Sequence, residues 1–208
     1  MARPGIFITL EGVDGSGKST QVGLLTDALQ AAGYEVVCLR EPGGTRLSEK
    51  IRLMVLDPGN DDMCDECELL LYEAARAQLV HEVIEPALER GAVVVCDRFF
   101  DSTYAYQAFG RGIDKSLVLK ANEVGSRGIV PDVTLVFDID PLEAYERATH
   151  EGADRLEGEG TAFQQRVRAG YLDLVRSEPL RVRLIDASGS VEVVRARVLS
   201  VLREVMAL

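Results

Sequence analysis

Gly12-Val13-Asp14-Gly15-Ser16-Gly17-Lys18-Ser19 follow the spelling G-x-x-x-x-G-K-[ST], between an apolar run, Ile6 to Leu10, and a stretch of helical spacing, Lys18 to Ala32. Buried strand, glycine loop and helix arrive in the order that such a loop requires. The glycines let the backbone turn tightly and aim N–H groups inward at a helix N-terminus, where anions are favoured. Lys18 can extend to terminal phosphates, and the hydroxyl of Ser19 can ligate Mg²⁺. The expected ligand is a nucleoside triphosphate, held by its phosphates along Gly12 to Thr20.

Strand character returns at Glu35 to Arg40, Ala92 to Cys96, Val133 to Ile139 and Val182 to Ile185, with helical segments between. This alternation predicts an α/β fold with a five-stranded parallel sheet flanked by helices, binding ligands beyond the carboxyl ends of its strands. Polar residues follow most strands directly: Glu11 to Lys18, Arg40 to Gly44, Asp97-Arg98 and Asp138 to Asp140. They converge on one edge. No internal repeat or domain-sized linker interrupts the 208 residues, so one domain over 1–208 is expected. The acidic, glycine-containing stretch Gly152 to Gly160 reads as part of a mobile flap, or LID, at about 148–160.

Composition excludes several classes. Lys plus Arg number 23 against 34 Asp plus Glu, a net charge of −11, which argues against broad binding to nucleic acid or to an anionic membrane. No run approaches the roughly 18 apolar residues of a membrane span, and the N-terminus lacks a secretory signal, so a cytoplasmic location is expected. Cys38 and Cys96 lie in apolar, strand-like runs and are expected to be buried thiols. Cys64 and Cys67 form a lone C-x-x-C, either part of a metal or redox site or the start of an amphipathic helix running to about Arg90. A switch GTPase fits poorly: Asn-Lys-x-Asp is missing, and D-x-x-G occurs only inside the glycine loop and at Asp186 to Gly189.

Further motifs occur in order: Arg40-Glu41-Pro42-Gly43-Gly44-Thr45, Tyr72 with Arg76, Asp97-Arg98 leading into Ser102, Tyr106 and Gln107, Asp154-Arg155-Leu156-Glu157, and Asp186-Ala187-Ser188-Gly189. With the glycine loop, this constellation resembles the bacterial thymidylate kinases over nearly the whole chain. The resemblance implies a three-layer P-loop kinase fold with a LID, which transfers the γ-phosphoryl group of ATP to thymidine monophosphate with Mg²⁺ in dTTP biosynthesis. It also implies a homodimer. A kinase for another deoxynucleotide or nucleoside, or a nucleotide-binding regulatory protein, are the alternatives.

Tyr72 and Arg76 are four apart on a predicted helix, hence on one face, where they offer either a stacking ring with a donor or ordinary helix packing with a solvated charge. By resemblance, Tyr72 stacks on thymine and Arg76 bonds it. Arg98 at a strand exit can bridge donor and acceptor phosphates or make a structural ion pair. Ser102 and Tyr106 share a helical face with Gln107 adjacent; by resemblance this segment meets the thymine edge, and Tyr106 crowds the sugar 2′ position. Asp14 bonds loop N–H groups or, by resemblance, accepts from the 3′-hydroxyl of the acceptor. Glu41 and Pro42 resemble the acceptor-side loop, and Arg52 is either an acceptor contact or a surface charge.

The pattern departs from the family at one point. Some members carry a catalytic Arg in the glycine loop, where this chain has Gly15; others carry it in the LID, where the matching position holds Glu151. Arg155 is the expected substitute, with Arg147 and His150 as alternatives. The expected catalytic set is therefore Lys18, Arg98, Arg155 and Asp14.

Overall fold

The computed structural model describes residues 4–147 and 155–206. Five strands, β1 (Ile6–Glu11), β2 (Val36–Arg40), β3 (Val93–Asp97), β4 (Val133–Asp138) and β5 (Val182–Asp186), form one sheet in the order β2-β3-β1-β4-β5. Every neighbouring pair is parallel, so all the carboxyl ends lie along one edge. β1 sits at the centre between β3 and β4, and its exit delivers the glycine loop to the middle of that edge.

The pleat sends alternate residues to opposite faces. Ile8, Leu10, Val93, Val95 and Leu135 belong to a core with Val22, Leu25 and Leu29 of helix α1 (Lys18–Ala31) and Val194, Val198 and Leu202 of α9 (Val191–Met206). From the other face Phe7, Val94 and Cys96 pack on α3 (Asp65–Leu79) and its continuation. That continuation is a π-helical turn, Val80–Ile84, leading into α4 (Glu85–Glu89), so the amphipathic helix expected from Cys64 to about Arg90 runs its full length with one under-wound turn inside it. A second π-helical stretch, Tyr104–Gly110, follows the short α5 (Phe100–Thr103) and packs along α8 (Thr161–Ser177). Helices α2 (Arg46–Leu56) and α6 (Lys115–Gly125) pack on α3, and α7 (Pro141–Arg147) packs on α8.

Two cysteine expectations separate here. Cys96 on β3 is buried as expected, whereas Cys38 is exposed, because β2 is the edge strand, with a neighbouring strand on one side only among the described residues. Cys64 and Cys67 are both exposed at the beginning of α3, with Cys64 as its N-cap residue. Most of the expected LID core, residues 148–154, lies outside the described residues; beyond it Glu157–Glu159 form a 3₁₀ turn.

One polar seam crosses the second face of the sheet. Thr9 and Thr134 share a hydrogen bond of 2.8 Å, Thr134 donates to Asp101 at 2.8 Å, and Arg181 clamps Asp101 through two nitrogens at 2.6 and 2.9 Å. Asp101 is buried, and removing it would leave the Arg181 charge in a site built for an ion pair. Asp101→Ala is therefore expected to lower stability by about 3–5 kcal/mol, read as a shift of the urea midpoint at unchanged slope.

Candidate active site

The carboxyl edge opens into a cavity of about 680 Å³. At one end lie Asp14, Gly15, Gly17, Lys18, Ser19 and Thr20. Gly12, Gly15 and Gly17 have positive φ, which turns the loop back over the start of α1. Gly15 is also sterically fixed: a Cβ there would lie 2.0 Å from the Ala144 carbonyl oxygen of α7. An Arg at this position is therefore incompatible with the backbone of this chain. Ser16 is buried behind the loop, and Lys18 donates to the Val13 carbonyl at 2.8 Å and to Ser16 Oγ at 3.4 Å. Burial, reinforced by the Arg98 charge, pushes the Lys18 ammonium down to about 8.

Ser19 Oγ donates to Asp97 Oδ2 at 2.8 Å. Sequence reasoning singled out Arg98 of the Asp97-Arg98 pair and passed over Asp97, because only the sheet brings the end of β3 beside the start of α1. Two hard oxygen donors adjacent to a phosphate loop suit Mg²⁺.

Arg98 is the hub of the site. Its backbone is left-handed, φ +70°, and its guanidinium donates to the Gly12 carbonyl (3.0 Å), Ser102 Oγ (3.1 Å), Tyr171 Oη (3.2 Å) and Asp14 Oδ1 (2.5 Å). It also lies over the Tyr106 ring, 5.1 Å from the centroid, while Tyr106 Oη donates to Asp14 Oδ2 at 3.1 Å. Burial alone would raise the Asp14 carboxyl, but the charges of Arg98 and Lys18 outweigh it and hold Asp14 below the usual range.

Beneath this hub lies Glu11, which accepts from the Phe99 N–H at 2.7 Å, Ser102 Oγ at 2.5 Å and Tyr171 Oη at 3.2 Å. Its complete burial, with the Asp101 charge adding to it, pushes the carboxyl up from 4.5 to about 8. Neither Glu11 nor Tyr171 stood out as a site residue in the sequence, since Glu11 reads there as the polar end of a strand and Tyr171 as one aromatic of an amphipathic helix.

The far end of the cavity is lined by Glu41, Pro42, Arg52, Tyr72 and Arg76, with Ser102, Tyr106 and Gln107 along its side. Arg52 donates to the Pro42 carbonyl at 3.0 Å. Arg76 is almost fully buried, held by Glu41 through Nε (2.8 Å) and by Glu73 through Nη1 (2.5 Å), and lies over the Phe99 ring. Burial pushes the Glu41 carboxyl up to about 7 against the opposing charge of Arg76. Arg76 is thus a fixed guanidinium rather than a solvated charge.

Arg155 departs from expectation. It does not line the cavity: its backbone N–H and its Nε donate to the carbonyls of Leu56 and Val55, 3.2 and 3.1 Å away, and its guanidinium pairs with buried Glu68. The last carbonyls of a helix lack partners within it, and α2 finds two donors in Arg155. The residue that does line the cavity is Arg147, which donates to the Ala187 carbonyl at 3.1 Å and pairs with Glu143. His150 and Glu151 lie outside the described residues.

A family model described as thymidylate kinase matches residues 10–198. Among curated relatives, a thymidylate kinase of Desulfosudis oleivorans is 49% identical over 208 residues, spanning 96% of this chain and 97% of the relative. One of Pelotomaculum thermopropionicum is 48% identical over 204 residues, spanning 97% and 94%. Among solved structures, the crystal structure of thymidylate kinase from Ehrlichia chaffeensis superposes with a TM-score of 0.77 at 36% identity, covering 95% of this chain and 98% of the other. This likeness shows a P-loop kinase fold.

Glu11 gives the site a pH signature. A carboxyl whose folded value stands at about 8, above an ordinary 4.5, holds its proton more tightly in the native state. Its contribution to stability is full below pH 4.5 and is lost as the pH rises through about 8. Glu11→Gln, which stays neutral, is expected to flatten the fall in stability between pH 5 and 8, measured by urea unfolding across that range.

Proposed function

The chain belongs to the thymidylate kinase family, and we propose that it transfers the γ-phosphoryl group of ATP to thymidine monophosphate, giving the diphosphate for dTTP synthesis in the cytoplasm. The observation that carries this reading is the position of Arg98. One guanidinium touches the glycine loop through Gly12 and Asp14, and the opposite wall through Ser102 and Tyr106. Phosphoryl transfer needs two phosphates in line and their charge neutralised, and a planar fork at the junction of two half-sites answers both needs.

On the donor side, the N–H groups from Val13 to Thr20 and the Lys18 ammonium hold the β- and γ-phosphates. Ser19 and Asp97 would hold Mg²⁺, which supplies positive charge to the phosphate oxygens when bound. Arg147, fixed at the Ala187 carbonyl and lining the cavity as Val191 does, serves the donor's adenine end. On the acceptor side, Asp14 accepts from the 3′-hydroxyl and Tyr106 closes the space beneath the sugar. Tyr72 stacks on the base, Arg76 donates to a base carbonyl, and Ser102 and Gln107 line its edge. Glu41 and Pro42 shape the pocket, and Arg52 reaches the acceptor phosphate.

Lys18 and Arg98 then carry the charge of the transferring group, since Arg155 is engaged elsewhere. A homodimer is also part of this reading: Leu53 and Met54 on α2, Leu70 on α3 and Val124 on α6 are exposed apolar side chains on mutually packed helices, which a partner would cover. Sedimentation at micromolar concentration tests that, with a monomer as the contrary result.

The decisive assay is ADP release with a panel of acceptors. Thymidine monophosphate is expected to support turnover well above deoxyuridine, deoxycytidine and deoxyguanosine monophosphates. ATP binding without acceptor-dependent release, or rejection of thymidine monophosphate, overturns the reading. Arg98→Lys, which keeps the charge but loses the fork, is expected to reduce kcat by at least about 100-fold; a loss under about fivefold would remove Arg98 from the reaction.

A further inference from the structure

We propose that Glu68 is a positioning residue for base recognition: it turns the amide of Gln107 so that the carbonyl oxygen faces the acceptor base, and Arg155 holds Glu68 in place. The proposal rests on the functional reading above and deepens it by assigning how the pocket tells one pyrimidine from another.

Glu68 lies on α3, wholly buried, one turn before Tyr72. Its Oε1 accepts from Gln107 Nε2 at 2.8 Å and from Arg111 Nε at 3.2 Å; its Oε2 accepts from Arg111 Nη2 at 2.9 Å and from Arg155. Burial works against its charge, yet the hydrogen bonds of Arg111 and Gln107, with the charges around them, hold the carboxyl below its ordinary range. An ionised carboxylate only accepts, so the amide nitrogen of Gln107 is the one end that can face it. The amide oxygen therefore points the other way. Gln107 is itself buried and lines the cavity beside Tyr106, with Tyr72 on the same wall.

The two pyrimidines differ in polarity at this point. Thymine presents an N3–H donor beside a carbonyl acceptor at C4; cytosine presents an N3 acceptor beside an amino donor. A fixed acceptor oxygen on Gln107 pairs with the thymine N3–H and opposes the lone pair of cytosine N3. Arg76, a donor by its chemistry and held in place by Glu41 and Glu73, complements the C4 carbonyl in the same sense. Leaving such buried polar groups mismatched is how a site rejects a near-isostere most strongly. α3 thus carries two carboxylates that each hold one base-reading group: Glu68 sets which end of the Gln107 amide faces the cavity, and Glu73 fixes the place of the Arg76 guanidinium.

Arg155 enters through its chemistry with Glu68. It pairs with the carboxylate and ties that contact to the end of α2. Its role is on the acceptor side, and the expected loss on removing it is in acceptor selection rather than in the transfer step.

The test measures kcat and KM for thymidine, N3-methylthymidine and deoxycytidine monophosphates in wild type, Glu68→Gln, Arg155→Ala, Gln107→Leu and the Glu68→Gln/Gln107→Leu double variant. A Gln at 68 can offer its own N–H₂, freeing the Gln107 amide to turn. The expected result is a fall of at least about tenfold in the kcat/KM ratio of thymidine over deoxycytidine monophosphate, carried by acceptor KM while the ATP KM stays within about twofold. That effect should vanish in the Gln107→Leu background, since Glu68 acts through Gln107. Arg155→Ala should move the same ratio in the same direction with kcat reduced less than about fivefold. An unchanged acceptor ratio, an effect of Glu68→Gln that persists without Gln107, or a loss of about 10³ in kcat for Arg155→Ala would overturn the assignment. Should Glu68→Gln fail to fold by circular dichroism, Arg155→Ala decides the matter by the same ratio. The wild-type control separates the two readings: no turnover of thymidine monophosphate overturns both, whereas normal turnover with unaltered variant ratios overturns only this one.

Discussion

Arg98 sits at the one point where the loop after β1, the turn after β3 and the tyrosines of two helices meet. Its left-handed backbone turns the chain sharply out of β3 and sends the side chain back across the glycine loop. A guanidinium largely withdrawn from water is tolerated only when its donors are matched, and four oxygens from three separate segments do so here. Asp14, Ser102 and Tyr171 owe their positions to this requirement as much as Arg98 owes its own to them. Glu11 below completes the arrangement by accepting from the Phe99 N–H, Ser102 and Tyr171, the last two of which also accept from Arg98.

The rest of the cavity repeats the principle of charge fixed by burial. Arg76 is gripped between Glu41 and Glu73, and Glu68 between Arg111, Arg155 and Gln107. Such clusters are poor sources of net stability, because desolvation offsets most of the Coulomb gain. What they confer is orientation: the Arg76 guanidinium is held in one place and the Gln107 amide in one sense on the cavity wall. α3 is the element common to both clusters, with Tyr72 and Arg76 one turn apart on the cavity wall and Glu68 and Glu73 on the same helix holding the groups that line it.

Much of the fold was legible in the chain, because the evidence for it is local. Five apolar runs, a glycine loop with its flanks, and helical spacing between them specify a parallel sheet with its ligand edge, and no distant contact is needed to read them. Cys38 shows the limit of that reading. Its apolar neighbours look like those of Cys96, yet one strand is at the edge of the sheet and the other is covered on both sides, a difference set by strand order. Arg155 shows a second limit. Its motif placed it with the LID and hence with the phosphates, but Glu68 lies 87 positions earlier in the chain and captures it.

By itself the sequence determined the chemistry available: a loop whose glycines and lysine suit phosphates, a strand-exit arginine, and an aromatic and a basic residue on one helical face. These follow from residue type and spacing over a few turns of chain. Only the tertiary structure decided which charges meet. Asp97 comes to Ser19, Glu11 to Tyr171 and Glu68 to Arg155, each across 78 or more positions, and Glu68 to Gln107 across 39. Burial then fixes protonation and orientation in ways that composition cannot express, because the energy of a charge depends on what surrounds it and not on its place in the chain.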